Sequence, residues 1–221
     1  MQNVFSICTR FPGKREKLMN KQNSTVMKLA ETALLAALCY VSFTFLQIKI
    51  PVPGGDATSL HIGNTFCVLG ALLLGGWYGG LAGSIGMTIA DLMDPVYITG
   101  APKTFVLKLC IGLITGLVAH KIAKINETND KKYVFKWSLI ASIAGLAFNV
   151  IADPIVGYFY KQYILGQPQE VASILAKLSA GATFVNAIVS TILVVIIYNA
   201  VRPALIKANL IRVYVTAANA K

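Results

Sequence analysis

Charged residues are scarce in this sequence, and acidic residues are the scarcest of them. Asp and Glu together number 9 against 20 Lys and Arg, and charged residues make up 13% of the chain. A soluble domain typically carries about 25% charged residues, so this composition favours a membrane protein. The 221 residues are enough for six spans of about 20 residues with their loops, which leaves no room for a separate soluble domain.

Motifs for catalysis, nucleotide binding and metal binding are also missing. The sequence has no G-x-x-x-x-G-K-[ST], no G-x-S-x-G and no H-E-x-x-H. The four cysteines show no CxxC spacing, and the two histidines, His61 and His120, fall on opposite sides of the predicted membrane. We therefore expect no enzyme, no cofactor and no metal site, and transport driven by ATP would need a partner protein.

What the sequence does contain is six apolar segments, at about residues 28–46, 61–77, 79–93, 104–122, 133–160 and 174–201. They predict an all-α integral membrane protein, a six-transmembrane-helix bundle that fills residues 28–201 and contacts the lipid bilayer. Residues 1–27 are expected to form a disordered basic tail, with Met19 or Met27 as an alternative start. Residues 202–221 are expected to form a second basic tail.

The distribution of Lys and Arg predicts the orientation of the bundle. With the N-terminus inside, fifteen of these residues fall on the inner side and five on or near the outer side. Because cytoplasmic loops carry the excess of positive residues, both termini are predicted to be cytoplasmic, in a multi-pass protein of the plasma membrane. The same rule accounts for the net charge of +11 without nucleic acid as a partner.

Polar side chains within or at the ends of the apolar segments fall in one half of the predicted membrane. Ionisable groups are costly in hydrocarbon, so a cluster at one depth indicates a ligand or ion site. Asn149 and Asp153, four residues apart, share one helix face. The candidate substrate-binding residues are His61, Asn64, Asp91, Lys108, Asn149, Asp153 and Asn186.

These residues also have structural interpretations. Asp153 and Lys108 would neutralise each other if they paired inside the bundle. Asn149 and Asn186 would serve equally well as hydrogen-bonding groups between helices. His61 is expected at the membrane surface, where a histidine is more commonly solvated than bound directly to a ligand. The convergence of all seven residues at one depth favours a binding site more than any single residue does.

Other residues bear on the loops and on partners. Asp94 and Lys103 are interpreted as solvated loop residues. Ala33 and Ala37 form a small-xxx-small pair, which either packs inside the bundle or offers an outward face to another protein. The GxxxG that begins at Gly112 is interpreted as packing within the bundle.

Several short motifs follow one another in order along residues 28–201. They are His61-Ile62-Gly63-Asn64, the glycine-rich stretches 69–76 and 79–83, Ala90-Asp91-Leu92, and Ala101-Pro102-Lys103-Thr104-Phe105 with Lys108 and Gly112. In this order they resemble the substrate-binding S component of an energy-coupling factor (ECF) vitamin transporter. The length and the six segments agree with that resemblance.

The resemblance implies a mechanism and partners. An S component binds a B vitamin or a related compound in an outward-facing pocket closed by loops. It works with a transmembrane T component and two ATPase subunits, and it topples in the membrane to release its substrate. By this resemblance Ala33 and Ala37 would contact the T component.

The substrate is interpreted as a pyridoxine-, hydroxymethylpyrimidine- or riboflavin-type compound. The carboxylates favour a small heteroaromatic ring with hydroxyl groups and a protonatable nitrogen, whereas Lys108 would attract an anionic vitamin such as pantothenate. The aromatic residues expected to hold the ring are Phe66, Phe105, Phe148 and Phe184.

Two other functions stay open. A stand-alone ion-coupled secondary transporter would use Asp153 or Asp91 as a proton or cation site and would need no ATPase. A membrane-embedded enzyme or structural subunit would bind no small molecule tightly.

Overall fold

A computed structural model of the chain describes residues 12–52 and 56–208. Side chains are described from residue 25 in the first range and from residue 57 in the second. Residues 1–11 of the predicted first tail and residues 209–221 of the second lie outside the described residues.

Six α-helices and one β-hairpin make up most of the described chain. In order they are α1 (Pro12–Phe45), β1 (Gln47–Val52), β2 (Asp56–His61), α2 (Gly63–Leu74), α3 (Gly76–Met93), α4 (Ala101–Gly116), α5 (Lys131–Phe159) and α6 (Gln169–Lys207). Short 3-10 helices lie at Ile98–Gly100 and Ile125–Glu127. The π-helical segments Leu117–Ile122 and Tyr160–Ile164 continue α4 and α5.

Within the described residues, four helical stretches are long and apolar enough to cross a membrane. They are Thr25–Phe45, Ile98–Glu127, Lys131–Ile164 and Gln169–Lys207. α2, with 12 residues, is shorter than the roughly 20 residues that a full span needs. The largely helical, membrane-embedded fold is confirmed, whereas the six spans and the cytoplasmic position of both termini stay predictions.

The first and last helices extend into the regions interpreted as tails. α1 begins at Pro12, a residue favoured in the first helical turn because its missing N–H has no partner there. The helix as described thus includes residues 12–27, the second half of the predicted tail. Adding residues to an existing helix is far easier than starting one, so a polar stretch can continue an apolar helix. α6 likewise continues through Pro203 to Lys207. The division into tails and a membrane domain stays a prediction.

An antiparallel hairpin lies after α1, in a stretch that the sequence indicated only as a loop. Gln47 pairs with His61 and Val52 with Asp56. Pro51 and the glycines and proline that follow argued against a strand. A two-stranded sheet consists only of edge strands, where proline is tolerated. The hairpin places His61, its last residue, against the start of α2.

α2 lies at the centre of the bundle and packs against α1, α3, α4 and α6. Its Cys67, Val68 and Leu72 side chains are fully buried. Gly75 ends the helix with φ 97° and ψ 162°, a conformation that glycine adopts at little cost and other residues avoid. This single residue reverses the chain, so that α3 runs back along α2.

α3 and α4 contact each other through their backbones. A Cβ placed on Gly112 would lie 2.2 Å from Gly80 Cα, and one on Gly116 would lie 2.1 Å from Gly76 N. No side chain fits at such distances, so glycine is needed at these positions. The interpretation of the GxxxG at Gly112 as packing within the bundle is confirmed.

Candidate functional site

A cavity of about 130 Å³ lies at the end of the bundle that the β-hairpin covers. Because successive helices alternate in direction, the starts of α2, α4 and α6 meet the ends of α3 and α5 there. Seven of its lining residues are the candidates from the sequence: His61, Asn64, Asp91, Lys108, Asn149, Asp153 and Asn186. The structure thus brings all seven together, and their role in binding a substrate stays a prediction.

Asp153, on α5, joins three helices in the cavity wall. Its Oδ1 accepts a hydrogen bond from Lys103 Nζ of α4 at 2.9 Å. Its Oδ2 accepts from Ser179 Oγ and, at 3.3 Å, from Thr183 Oγ1, both on α6. A carboxylate offers about four acceptor sites, so most of the acceptor sites of Asp153 are already occupied by donors of the protein.

Lys103 is the ion-pair partner of Asp153, and two sequence interpretations are therefore wrong. Asp153 does not pair with Lys108, and Lys103 is not a solvated loop residue, because its side chain is only 16% exposed and lines the cavity. Ala101 and Pro102 start α4 earlier than expected, which places Lys103 in the first turn of a helix. No sequence pattern indicates this pairing, because it depends on how α4 packs against α5.

Asp94 is also less exposed than expected. It forms an ion pair with Lys49 of β1, and its Oδ1 accepts from the Val96 backbone N–H at 3.1 Å. Lys49 Nζ also lies 5.4 Å from the centroid of the Tyr97 ring. These contacts hold β1 against the loop that follows α3, at the edge of the cavity.

Asn186 connects α6 to β2. Its Oδ1 accepts from the His61 backbone N–H at 3.0 Å, and its Nδ2 donates to the Ser59 carbonyl at 3.0 Å. The interpretation of Asn186 as a hydrogen-bonding group between elements therefore has direct support. Its amide fixes the hairpin over the cavity, and no second role follows from these contacts.

His61 is buried, with 9% of its surface exposed, so its interpretation as a solvated histidine is wrong. Its Nδ1 accepts from the Gly63 backbone N–H at 3.2 Å. The Phe43 ring meets the imidazole edge-on, with the ring centroids 4.7 Å apart. His61 lies inward because β2 packs against α6, where Asn186 contacts its backbone, and because Phe43 of α1 covers its ring.

Asn64 and Asn149 are the most deeply buried polar residues of the cavity, with 1% and 2% of their surfaces exposed. The Oδ1 atom of each has no hydrogen-bond partner among the described residues. Buried polar groups are nearly always paired in native structures. For Asn149, the structure thus gives no support to the interpretation as a hydrogen-bonding group between helices.

Asp91 and Lys108 form the charged part of the wall. Asp91 is 3% exposed and Lys108 is 8% exposed. The Thr104 side chain hydrogen-bonds the Asp91 carboxylate, and Lys108 interacts electrostatically with both Asp153 and Asp91. No carboxylate oxygen of the described residues lies within 4.0 Å of Lys108 Nζ.

The aromatic residues that line the cavity differ from those expected. They are Phe43, Tyr97 and Tyr160. Phe66, Phe105, Phe148 and Phe184 do not line it, and Phe184, with 56% of its surface exposed, lies on the outside of the bundle. The depth of a residue in the membrane, estimated from its position in a segment, could not separate the two sets of aromatic residues, because depth does not tell which side of a helix faces the bundle.

Ala33 and Ala37 are exposed on α1, beside the exposed side chains of Leu34 and Leu38. The interpretation as packing inside the bundle is therefore wrong for this pair. An exposed strip of small residues is compatible with a partner helix, and that partner interface stays a prediction.

Comparison with known proteins identifies the family. Residues 23–203 match the family described as "ECF-type riboflavin transporter, S component", so the chain belongs to this family. It is a family of transporter components and not of enzymes.

Among solved structures, ThiT from Listeria monocytogenes has a similar fold, with a TM-score of 0.59 at 19% sequence identity. The similarity covers 82% of this chain and 97% of that chain. At this identity the likeness supports the fold alone. A search of curated proteins gives no match.

Proposed function

We propose that this chain captures a B vitamin or vitamin precursor in the cavity at the end of its bundle and delivers it as part of an ECF-type importer. One observation carries the proposal. In a chain that belongs to the S-component family, seven polar residues from β2 and from α2 to α6 surround one cavity. Most of them are buried, and such clusters in membrane segments are typical of ligand sites.

The size of the cavity favours a small heteroaromatic ring of the pyridoxine or hydroxymethylpyrimidine type. Its volume is about 130 Å³. A cavity of about 150 Å³ in another protein accommodates one benzene ring. A single substituted ring therefore matches the present side-chain arrangement.

Two further cargoes are each favoured by a different observation. The family match favours riboflavin. Its three fused rings would require the hairpin or the loop after α3 to move outward. Pantothenate, an anion, is favoured by the buried Lys108, because no carboxylate of the described residues lies within 4.0 Å of its amino group.

The proposed partners are a transmembrane T component and two ATPase subunits. The exposed Ala33 and Ala37 on α1 support a close helix contact with the T component. The excess of Lys and Arg on the predicted inner side supports cytoplasmic termini and a multi-pass position in the plasma membrane.

Isothermal titration of the purified, ligand-stripped chain tests the proposal. The panel is pyridoxine, pyridoxal, pyridoxamine, hydroxymethylpyrimidine, thiamine, riboflavin, pantothenate and biotin. We expect one compound to bind with nanomolar affinity at one site per chain. Binding of none of them would contradict the assignment as a capture subunit.

Uptake by proteoliposomes separates this function from ion-coupled transport. We expect the chain to import the bound compound only together with the T component, the ATPase subunits and ATP. Uptake by the chain alone, driven by an ion gradient, would favour the secondary transporter and would make Asp91 or Asp153 its ion site.

A further inference from the structure

We propose that the substrate presents an edge of oxygen acceptors to two N–H donors, Lys108 Nζ and His61 Nε2. These two residues would then determine which class of vitamin the cavity accepts. The inference deepens the proposed function and rests on it, because it concerns the substrate of the same cavity.

The hydrogen bond at Nδ1 determines the tautomer of His61. The Gly63 backbone N–H can only donate, so Nδ1 must carry a lone pair. In a neutral imidazole the hydrogen then resides on Nε2, which becomes a donor. Nε2 has no hydrogen-bond partner among the described residues, and His61 lines the cavity. A ligand that satisfies this nitrogen must supply an acceptor.

Lys108 Nζ is the second donor, and it has no acceptor among the described residues. Its side chain is more than nine-tenths buried and lines the cavity. The two carboxylates that attract Lys108 electrostatically hydrogen-bond other side chains. Asp153 accepts three hydrogen bonds from other residues, and Asp91 interacts with Thr104. A ligand oxygen in the cavity would give this amino group the acceptor that the described residues do not provide.

The charges in the wall point to the same chemistry. Apart from Lys108, the charged groups close to the centre of the wall are Asp91, Asp153 and Lys103. Lys103 and Asp153 compensate each other in an ion pair. Lys108 takes part in no ion pair among the described residues, so its charge favours a ligand that is electron-rich on the side of Lys108 and His61.

This reasoning divides the candidate vitamins into two groups. Riboflavin has a pair of ring carbonyls, pyridoxine an ionisable ring oxygen, and pantothenate a carboxylate, so each offers such an edge. Hydroxymethylpyrimidine and thiamine carry a donor amino group on their pyrimidine, whose acceptors are ring nitrogens, and they have no ring carbonyl, ring hydroxyl or carboxylate. We therefore expect the substrate to belong to the first group.

Four substitutions separate recognition from packing. In His61→Asn, the amide Oδ1 can still accept the hydrogen bond from the Gly63 backbone N–H, but no donor remains at the position of Nε2. In His61→Gln, the longer side chain can place an amide N–H at the position of Nε2. Lys108→Met removes the amino group, whereas Lys108→Arg keeps an N–H donor. Lys177→Met, at an exposed position near the start of α6 outside the cavity lining, is the matched control.

The experiment is isothermal titration of the full chain and these variants with the five compounds. We expect wild type to bind riboflavin, pyridoxine or pantothenate. His61→Asn and Lys108→Met should each weaken that binding about 10- to 100-fold, the range for a lost hydrogen bond to a charged group. His61→Gln and Lys108→Arg should lose less, and Lys177→Met should bind as wild type does.

A ligand-side measurement keeps the test valid if a variant folds poorly. Wild type is titrated with an analogue of the bound compound in which the acceptor oxygen is replaced by hydrogen. With wild type, the analogue should bind about 10- to 100-fold more weakly than the parent compound. With Lys108→Met, the analogue and the parent compound should bind with nearly equal affinity, because the amino group that contacts the oxygen is already absent.

The outcomes distinguish the inference from the function on which it rests. If hydroxymethylpyrimidine or thiamine binds best, or if both His61→Asn and Lys108→Met bind as wild type does, the chain is still a capture subunit and the inference is wrong. An analogue that binds wild type as well as its parent also overturns the inference. If none of the five compounds binds, the proposed function fails for these substrates, and the inference fails with it.

Discussion

Replacing Asp153 by Ala removes the group that joins α4, α5 and α6 at the cavity. The carboxylate accepts hydrogen bonds from Lys103, Ser179 and Thr183, and its side chain is 16% exposed, so solvent screens these contacts little. Removing one partner of a buried ion pair costs about 3–5 kcal/mol, because the other partner remains buried and unpaired. We expect Asp153→Ala to lower the free energy of unfolding by about 3 kcal/mol.

The same substitution should weaken substrate binding by more than about tenfold, which corresponds to about 1.4 kcal/mol. Without the carboxylate, Lys103 loses the partner that holds its amino group in the wall, and the acidic side of the cavity is reduced to Asp91. The affinity is measured by isothermal titration with the compound that wild type binds. The stability is measured by thermal unfolding of the same detergent preparation.

Two control variants make the result interpretable. Ser179→Ala removes one donor to Asp153 and keeps the ion pair, so it should cost about 1 kcal/mol of stability and change affinity little. Asp153→Asn keeps the shape and one acceptor oxygen and should lose less stability than Asp153→Ala. Unchanged affinity together with lowered stability in Asp153→Ala would refute the reasoning, because Asp153 would then only hold the helices together.

The remaining predictions concern the exterior, the hairpin and the helix contacts. Replacing Ala33 and Ala37 by Trp should prevent co-purification with the T component and ATPases while titration shows unchanged ligand binding; normal transport would contradict the interface. Asn186→Leu should speed hydrogen exchange of the β2 amides, since both amide contacts to that strand are lost; unchanged exchange would show that the hairpin needs no such anchor. Gly112→Val should greatly reduce the yield of folded protein, whereas Gly181→Ala, with nothing within 4 Å of its Cβ, should not; equal yields would contradict the close helix contact.

The grouping of the site residues was predictable because it depends on local properties. The rise of 1.5 Å per residue gives the depth of Asn149 and Asp153, and alternating helix direction brings Lys108 and Asn186 to the same end. Neither step requires knowledge of which helices touch. The structure therefore places all seven candidates around one cavity, although their use in binding is still to be tested.

The contacts of those residues were not predictable, because they depend on packing between distant segments. Lys103 pairs with Asp153 across 50 residues of sequence, and Asn186 contacts the His61 backbone across 125. Phe43 lines the cavity because α1 turns that side inward, which its apolar neighbours do not reveal. The hairpin was missed because Pro51 and the turn residues after it are more typical of a loop.

The glycine contact between α3 and α4 limits how the subunit can move. Backbones that touch directly have no intervening rotamers that could rearrange, so sliding or spreading of this pair would have to break the contact outright. α3 and α4 therefore behave as one rigid unit. Asp91, near the end of α3, and Lys108, on α4, therefore keep a constant backbone separation when this rigid unit tilts. α2 touches the α3 backbone just as closely, at Gly79, so a motion that opens the cavity would have to keep α2, α3 and α4 together and leave these two charged residues at a fixed backbone distance.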